Sequence, residues 1–246
     1  QIRSLANPKK EIKIGCWNVR TLYSIGKTAQ VTSEMRKHNI SILGISECRW
    51  TGSGKMKTVT GETILFSGRE DEIHRSGVAI IMTKETNQYL ECWNPISDRI
   101  ITARFTSKFI KTTIIQVYAP TNEASEEEKD NFYDCLQKVL DDVPQHDLML
   151  VMGDLNAKVG TAQKDEERTV GNHSIKGVRN DNGERFVAFC AENNLAISTT
   201  MFPHKKIHKY PWTSPDGKHQ NQIDHVAVNT RFKRSVQDAR TYRGAD

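Results

Sequence analysis

Polar side chains of specific chemical character stand where apolar, strand-like runs of this sequence end. Loops that follow strands are where a protein scaffold usually displays its chemistry. Each of these residues also has a structural explanation, as a turn cap, a surface acid or a core tyrosine, but their recurrence at five strand ends favours a shared role. The residues are Asn18, Glu47, Tyr118, Asp154, Asn156 and Asp224.

The chemistry that these side chains offer together is phosphodiester hydrolysis. The carboxylates of Glu47, Asp154 and Asp224 are hard oxygen donors that suit Mg²⁺ or Mn²⁺. Asparagine and tyrosine can donate hydrogen bonds to phosphate oxygens. Groups of these types could polarise a phosphodiester, orient water and stabilise the charge that develops on phosphate.

The stretch MGDLNAKVG places an acid and an amide two residues apart, Asp154 and Asn156. On an extended strand, residues i and i+2 point to the same face, so we expect both side chains to reach one site. The preceding Gly153 would let the backbone approach its neighbours closely.

Nine short apolar or alternating runs predict strands, and three longer segments predict helices. The second helix opens with the capping box Ser125-x-x-Glu128 and has acids in its first turn, which the helix dipole favours. Strand-rich sequence with helices at intervals predicts two β-sheets packed face to face and flanked by helices. The predicted strands are 12–17, 40–46, 63–67, 78–83, 100–105, 113–118, 148–152, 195–199 and 223–228; the predicted helices are 27–38, 125–143 and 184–194, the last behind a cap at 181–183.

The net charge of +5 on 246 residues comes from the last part of the chain. Residues 201–246 hold nine Lys or Arg and four acids, which is typical either of a polyanion-binding surface or of a solvated charged face. The 5 cysteines stand singly, so we expect buried free thiols in a reducing intracellular compartment, nuclear or cytoplasmic. No apolar run approaches the ~20 residues of a membrane helix, and we expect no membrane partner.

Six motifs, in this order, resemble those of the endonuclease/exonuclease/phosphatase superfamily: CWNVRTL, ISECRW, SGVAIIM, QVYAPT, MGDLNAKVG and QIDHVAVN. The phrases GISECRWTGSG and YPWTSPDGKHQNQIDHV are similar to the apurinic-type endonuclease domains of non-LTR (LINE-type) retrotransposons of the RTE/BovB-like group, and to their host-derived relatives, the craniofacial development protein 2-like proteins. The resemblance implies a DNase I-like, four-layer α/β sandwich with two mainly antiparallel sheets. It covers residues 12–246, with 1–11 as an N-terminal extension.

The same resemblance implies nicking of one strand of double-stranded DNA, which leaves a 3′-OH that primes reverse transcription. A reverse transcriptase domain in the same polypeptide would be its partner. Glu47 would hold Mg²⁺ (Mn²⁺ possible) with Asn18 beside it, and Tyr118 would contact the scissile phosphate. Asp154 would position or activate water, Asn156 would hold a phosphate oxygen, and Asp224 would orient a catalytic histidine.

Two departures from the family pattern affect this reading. Many apurinic endonucleases carry an acid two residues after the motif asparagine, where this chain has Arg20, which could bind phosphate instead. The Ser-Asp-His motif of a late strand is absent up to Asp246, and we expect it further along a longer parent protein. His225, His219 and His173 are poor substitutes, because strand alternation points His225 away from Asp224 and the other two lie in polar loops.

DNA contacts are expected mainly near the end of the chain. The segment YPWTSPDGKHQNQID reads as strand, turn and strand around Pro215-Asp216-Gly217. Basic side chains there would contact phosphates without reading sequence. The proposed DNA-binding residues are Arg20, Arg49, Lys205, Lys206, Lys209, Trp212, Thr213, Lys218 and His219, and Trp50 could flank the DNA beside Arg49.

Three functions compete at this point. The first is a Mg²⁺-dependent endodeoxyribonuclease of a LINE-type retrotransposon. The second is a catalytically weak or inactive DNA-binding module, because the terminal histidine motif is absent. The third keeps the superfamily but hydrolyses a phosphoinositide or another small phosphoester.

Overall fold

A five-stranded mixed sheet carries the first part of the chain. In the computed structural model, which describes residues 11–205, 212–213 and 220–242, its strand order is β1-β2-β5-β4-β3. β1 runs parallel to β2 through the crossover helix α1, and the other neighbouring pairs are antiparallel. The elements are β1 (Ile14–Asn18), α1 (Lys27–Lys37), β2 (Ile42–Ser46), β3 (Ser53–Lys57), β4 (Thr63–Ser67) and β5 (Val78–Met82).

The second sheet has six strands and is also built largely from runs that the sequence predicts. The short helix α2 (Lys84–Asn87) follows β5 in the chain and precedes the first strand of the second sheet. Two short strands, at Trp212–Thr213 and Gln220–Asn221, pair as a separate two-stranded ribbon. The remaining elements are β6 (Leu90–Ser97), β7 (Ile100–Phe105), β8 (Thr112–Tyr118), α3 (Glu126–Asp141), β9 (Leu148–Asp154), α4 (Asp181–Glu192), β10 (Leu195–Ile197), β11 (Trp212–Thr213), β12 (Gln220–Asn221) and β13 (Asp224–Asn229), with 3-10 helices at Ser198–Thr200 and Thr230–Ser235.

The chain divides into two compact units. Unit 1 comprises Gln1–Tyr118 and Cys135–Gly153, and unit 2 comprises Ala119–Asp134 and Asp154–Asp246. Unit 1 contains the sandwich itself: β2 contacts β8, β4 contacts β6, and β5 contacts both β7 and β8. Every residue of β2 and of β5 is buried, which is why these two strands read as unbroken apolar runs.

Helix α1 covers the outer face of the five-stranded sheet. Its predicted apolar positions, Val31 and Met35, are 0% and 1% exposed and belong to one core cluster with Leu43, Ile45 and Ile64. The helix begins after Gly26, whose φ of +82° would be strained for other residues. With α1 on one face and the second sheet on the other, β2 and β5 are buried throughout, whereas the edge strand β3 is largely exposed.

Unit 2 is organised around α4. Its residues Phe186, Val187, Phe189 and Cys190 are buried, as their spacing predicts. The cap is Asn180, whose side chain accepts a hydrogen bond from Gly183 N–H, so the helix begins three residues before the predicted start. In α3 the predicted cap is confirmed, since Glu128 N–H donates to Ser125 Oγ over 3.2 Å.

Strands β3 and β6, the short helix α2 and the 3-10 helices at Ser198–Thr200 and Thr230–Ser235 were not predicted from the sequence. β3 is almost entirely exposed and β6 contains Pro95; each lies at the edge of its sheet. Edge strands need no alternating apolar pattern and tolerate proline, so the signal used for the other strands is missing there. The expectation of buried thiols was wrong in part: all five cysteines are free, but Cys92 is exposed and only Cys48 and Cys190 are buried.

None of the helices in the described ranges has the length and the apolar character needed to cross a lipid bilayer.

The predicted close approach at Gly153 is confirmed and gives a test of the packing in unit 1. A Cβ at Gly153, whose φ is +139°, would lie 2.0 Å from the carbonyl oxygen of Val117. Gly153→Ala should therefore lower the free energy of unfolding by about 3 kcal/mol or more, from backbone strain and overpacking combined. Chemical denaturation followed by circular dichroism measures the loss.

The matched control is Gly52→Ala, where φ is +66° but nothing lies within 4 Å of an added Cβ. It should cost about 1–2 kcal/mol, the strain of the left-handed backbone alone. Equal losses for the two variants would contradict the proposed clash with Val117.

Candidate functional site

Three of the predicted site residues meet at one carboxylate oxygen in unit 1. Glu47 follows β2 directly, Asn18 ends β1, and Tyr118 ends β8. Glu47 Oε1 accepts a hydrogen bond of 2.7 Å from Asn18 Nδ2 and one of 3.2 Å from the Tyr118 hydroxyl. We call these three residues the Glu47 cluster. It joins the ends of strands from both sheets of the unit 1 sandwich.

The loops of the Glu47 cluster have an unusual backbone. Arg20, Glu47 and Arg49 have φ values of +59°, +57° and +57°, in the left-handed region that costs energy for side chains other than glycine. Arg49 Nη2 lies 3.2 Å from Glu47 Oε2, and Asn18 Oδ1 accepts a hydrogen bond from Arg20 N–H. The two arginines, predicted as phosphate ligands, are thus on the loops that carry the cluster.

A buried polar network lies behind the Glu47 cluster. Gln116 Nε2 donates to Ser46 Oγ over 3.0 Å and to the Val117 carbonyl over 3.2 Å, and Ser46 Oγ donates to the same carbonyl. Ser46 immediately precedes Glu47, and Val117 immediately precedes Tyr118. The network therefore fixes the ends of β2 and β8 relative to each other. We call Ser46, Gln116 and Val117 the backing network.

Gln116 is a residue that the sequence analysis overlooked. It is 0% exposed, and its Oε1 has no hydrogen-bond partner within the part of the chain that the structure describes. A Cβ on Gly44 would lie 1.9 Å from this oxygen, so the side chain needs a glycine opposite it. A glutamine inside the apolar run TTIIQV was the available signal, because a buried strand has no other reason to carry an amide.

In unit 2, Asp154 and Asn156 are placed differently from the prediction. β9 ends at Asp154, which is 2% exposed, and Asn156 has a φ of +50°. Asn156 N–H donates to Asp154 Oδ1 over 3.0 Å, while its Nδ2 donates to the Ala119 carbonyl over 3.0 Å. The expectation that an extended backbone aligns the two side chains was wrong, since the chain turns after Asp154.

The turn after Asp154 is held from two sides. Asn180 Nδ2 donates to the Asn156 carbonyl, and Asn180 Oδ1 accepts from Lys158 N–H as well as capping α4. Ala119 N–H donates to the Asp154 carbonyl over 2.8 Å. Asn156 therefore acts at least in part as a residue that shapes this loop.

Asp224, the first residue of β13, forms an acid pair with Asp154. Its Oδ1 is buried and has no hydrogen-bond partner among the described residues. Burial, and then the negative charge of Asp154, raise the pKa of Asp224 well above its ordinary value. A raised pKa favours the protonated carboxyl, which can donate a hydrogen bond.

His225 is a structural residue, in agreement with strand alternation. It is 0% exposed, Nε2 lies 2.8 Å from the Ala157 carbonyl, and Nδ1 lies 2.9 Å from Thr199 Oγ1. Burial lowers its pKa to about 4 despite backbone hydrogen bonds. A ring that is neutral, enclosed and occupied at both nitrogens cannot serve as a substitute catalytic histidine.

Only some of the predicted DNA-binding residues lie among those that the structure describes. Lys205 is exposed, and Trp212 and Thr213 form β11, which pairs with β12. Lys206, Lys209, Lys218 and His219, together with the predicted turn at 215–217, lie outside the described residues. Trp50, suggested to flank DNA, is partly buried, and its ring packs edge-on against Phe66 at 5.1 Å beside the core of unit 1. A DNA contact by Trp50 stays a prediction.

Among the residues that the structure describes, no three His, Cys, Asp or Glu side chains are grouped so as to hold a metal ion. Mg²⁺ needs less than that, since it is often held by one or two carboxylates together with water and substrate phosphates. Glu47 supplies a carboxylate, and Asn18, whose Nδ2 donates to that carboxylate over 2.7 Å, would supply its amide oxygen. This donor set fits Mg²⁺ or Mn²⁺ and does not fit zinc, which prefers a closed set of nitrogen and sulfur ligands.

The two sheets, their flanking helices and the strand connections define a class of fold, the DNase I-like α/β sandwich. Solved structures share it: a Neisseria 3′ phosphatase, NExo, bound to a product DNA hairpin (TM-score 0.66, 19% identity, covering 93% of this chain and 90% of that one), and an AP endonuclease from Archaeoglobus fulgidus (0.62, 17%, 91% and 89%). The endonuclease domain of TRAS1, a telomere-specific non-LTR retrotransposon, also shares it (0.56, 14%, 89% and 85%).

Sequence similarity points to one named group of proteins. The chain is 40% identical over 238 residues, 97% of its length, to craniofacial development protein 2 from Bos taurus and, equally, to that from Tragulus javanicus. It spans 39% and 40% of the length of these two relatives. No family model matches the chain.

The orphaned oxygen of Gln116 leads to a prediction about stability. Gln116→Met keeps the length of the side chain and removes a buried acceptor that lacks a partner, so the free energy of unfolding should stay within about 1 kcal/mol of wild type. Gln116→Ala should cost about 2 kcal/mol or more, because it also opens a cavity. Denaturant titration of the three proteins gives the comparison; a loss in Gln116→Met as large as in Gln116→Ala would show that the amide is needed for stability.

Proposed function

We propose that this chain is a DNA-hydrolysing endonuclease domain of LINE-type retrotransposon origin, which nicks one strand and leaves a 3′-OH for target-primed reverse transcription. The observation that carries the proposal is the sharing of Glu47 Oε1 by Asn18 and Tyr118, residues from the ends of strands in two sheets. The fold shared with a DNA-bound phosphatase and a retrotransposon endonuclease supports DNA as the substrate. The retroelement motifs of the sequence support the finer assignment.

Glu47 and Asn18 are the residues that would hold Mg²⁺, or alternatively Mn²⁺. The ion, when bound, neutralises negative charge on a phosphate and polarises it toward attack. Tyr118 can turn its hydroxyl from Glu47 to a phosphate oxygen, and Arg49 can exchange its carboxylate partner for phosphate, which guanidinium groups bind in bidentate fashion. Arg20 is exposed and available for a second phosphate.

The acid pair of unit 2 supplies the proton chemistry. Asp154 would accept a proton from water as the water attacks phosphorus. Asp224 would orient a catalytic histidine by a hydrogen bond. Asn156 has a second N–H on Nδ2 beyond the one given to Ala119, and this N–H can hold a phosphate oxygen.

The partner domain and the cellular compartment follow from the same proposal. A reverse transcriptase domain in the same polypeptide would use the 3′-OH, and a reducing nuclear or cytoplasmic compartment suits the five free cysteines. Cell fractionation that found the protein only in a secreted or membrane fraction would contradict this placement.

Nicking of supercoiled plasmid in the presence of Mg²⁺ tests the function. Glu47→Gln and Asp154→Asn should each slow relaxation by about 100-fold or more, because each removes a carboxylate that the proposed chemistry uses. Glu85→Gln, an exposed acid in the first turn of α2, is the matched control and should nick at the wild-type rate. Ligation or extension by a polymerase identifies the 3′-OH.

Two other results would redirect the assignment. DNA binding without relaxation by any variant would favour a catalytically weak or inactive DNA-binding module. Release of phosphate from a soluble phosphoester, with no effect on plasmid, would favour a small-molecule phosphoesterase.

The basic segment after residue 204 is expected to contribute phosphate contacts. Replacing Lys205, Lys206 and Lys209 by alanine should reduce the slope of log K against log salt by about 2–3, the value for three lost phosphate contacts. A triple change at the exposed Lys55, Lys57 and Lys84 is the control and should leave the slope unaltered. Fluorescence anisotropy between 50 and 200 mM salt, the range over which such contacts matter, measures both; an unaltered slope in the first triple variant argues against phosphate contacts there.

A further inference from the structure

Three loops beside the Glu47 cluster are joined by backbone hydrogen bonds. Leu22 N–H donates to the Cys48 carbonyl over 2.9 Å, Cys48 N–H donates to the Gly77 carbonyl over 3.0 Å, and Arg49 N–H donates to the Ser76 carbonyl over 3.0 Å. Leu22 is 3% and Cys48 0% exposed, so the loops are anchored in the core. A surface carried by these loops is therefore preorganised with respect to Glu47.

Two rings on these loops pack against each other with tilted planes. Tyr23 and His74 have ring centroids 4.3 Å apart with an interplanar angle of 40°. His74 Nδ1 lies 2.8 Å from the Arg49 carbonyl, and Tyr23 N–H donates to Thr21 Oγ1 over 3.0 Å, so both rings are held in place by the loops. Tyr23 is nevertheless 65% exposed. Aromatic rings usually bury most of their surface, and an ordered pair left open to solvent needs an explanation.

The charges around the rings decide which part of a nucleic acid would bind there. Four cations and four acids lie on the loops concerned: Arg20, Arg49, Arg69 and Arg75 against Glu47, Glu70, Asp71 and Glu72. Arg69 and Asp71 also pair with each other. Apart from Arg20 and Arg49, which are proposed to contact phosphates, the loops carry two cations against four acids, so the rings themselves are suited to the uncharged face of a nucleobase.

We propose that Tyr23 and His74 form a stacking platform for one nucleobase that has left the duplex stack near the cleaved phosphate. The proposal rests on the proposed function in taking DNA as the ligand, and it adds a contact that depends on the presence of a base. Stacking on an aromatic side chain tolerates every base and strengthens binding without reading sequence. The platform would favour DNA sites where a base unstacks easily.

Binding to three Cy5-labelled duplexes tests the platform without any cleavage, in EDTA. One duplex carries a single bulged nucleotide, the second carries an abasic tetrahydrofuran at the bulge, and the third is fully paired. The wild-type chain should bind the bulged base about 10-fold more tightly than the abasic bulge, in keeping with the usual contribution of one stacked base. This ratio should stay constant between 50 and 200 mM salt, because a stacking contact releases no counterions.

Variants at the platform separate stacking from folding. Tyr23→Ala should reduce the 10-fold preference to less than 2-fold, and Tyr23→Phe should retain it, because the ring is what stacks. His74→Ala should weaken it. Phe109→Ala is the matched control, since Phe109 is also an exposed ring (67%) with a neighbouring cation, Lys108, and the variant should behave like wild type.

The outcomes of this test are independent of catalysis. DNA binding with equal affinity for the bulged base and the abasic bulge overturns the platform and leaves the nuclease proposal standing. A base preference that survives in Tyr23→Ala overturns it as well. A base preference lost in Tyr23→Ala supports the platform even if the plasmid assay shows no nicking, and absence of any DNA binding removes both proposals.

Discussion

The hydrogen bonds to Glu47 Oε1 impose the constraint on which the rest of the candidate site depends. Their donors, Asn18 and Tyr118, end strands in different sheets of unit 1, so the sandwich must bring these ends together within about 3 Å of one atom. A Cβ at either of two glycines would clash with β8, the strand that ends at Tyr118. Gly44 gives room to Gln116, and Gly153 gives room to the Val117 carbonyl. Glycines and one amide thus set the spacing that the carboxylate needs.

Unit 2 places two acids, Asp154 and Asp224, near each other. Burial and the negative charge of Asp154 both raise the pKa of Asp224, which favours its protonated form. The buried Asp224 Oδ1 has no partner among the described residues, which costs about 1–3 kcal/mol. The fixed turn around Asn156 and Asn180 compensates by holding Asp154 in one position.

The parts of the fold that the sequence could predict are those whose side chains are buried. β2 and β5, entirely buried, were recognisable as apolar runs, whereas β3 and β6 carry exposed edge residues and give no such pattern. The residue types of the Glu47 cluster could be read from strand ends. The turn at Asn156 could not be predicted, because its left-handed backbone depends on hydrogen bonds with Ala119 and Asn180. Both partners are distant from Asn156 in the sequence.

Buried atoms without partners show how stability and function are balanced in this chain. Besides Gln116 Oε1 and Asp224 Oδ1, the described residues hold four such atoms, on Thr63, Asn87, Tyr133 and Ser198. An orphaned atom alone therefore does not mark a functional position. Gln116 and Asp224 differ from the other four in what they touch: Gln116 donates to the Ser46 hydroxyl beside Glu47, and Asp224 is coupled to the charge of Asp154. An apolar residue at either position would remove the unsatisfied atom, but it would also release the group that the site requires. The cost of each unsatisfied atom is therefore linked to the proposed chemistry, because a substitution that removes the atom also removes the group that the site uses.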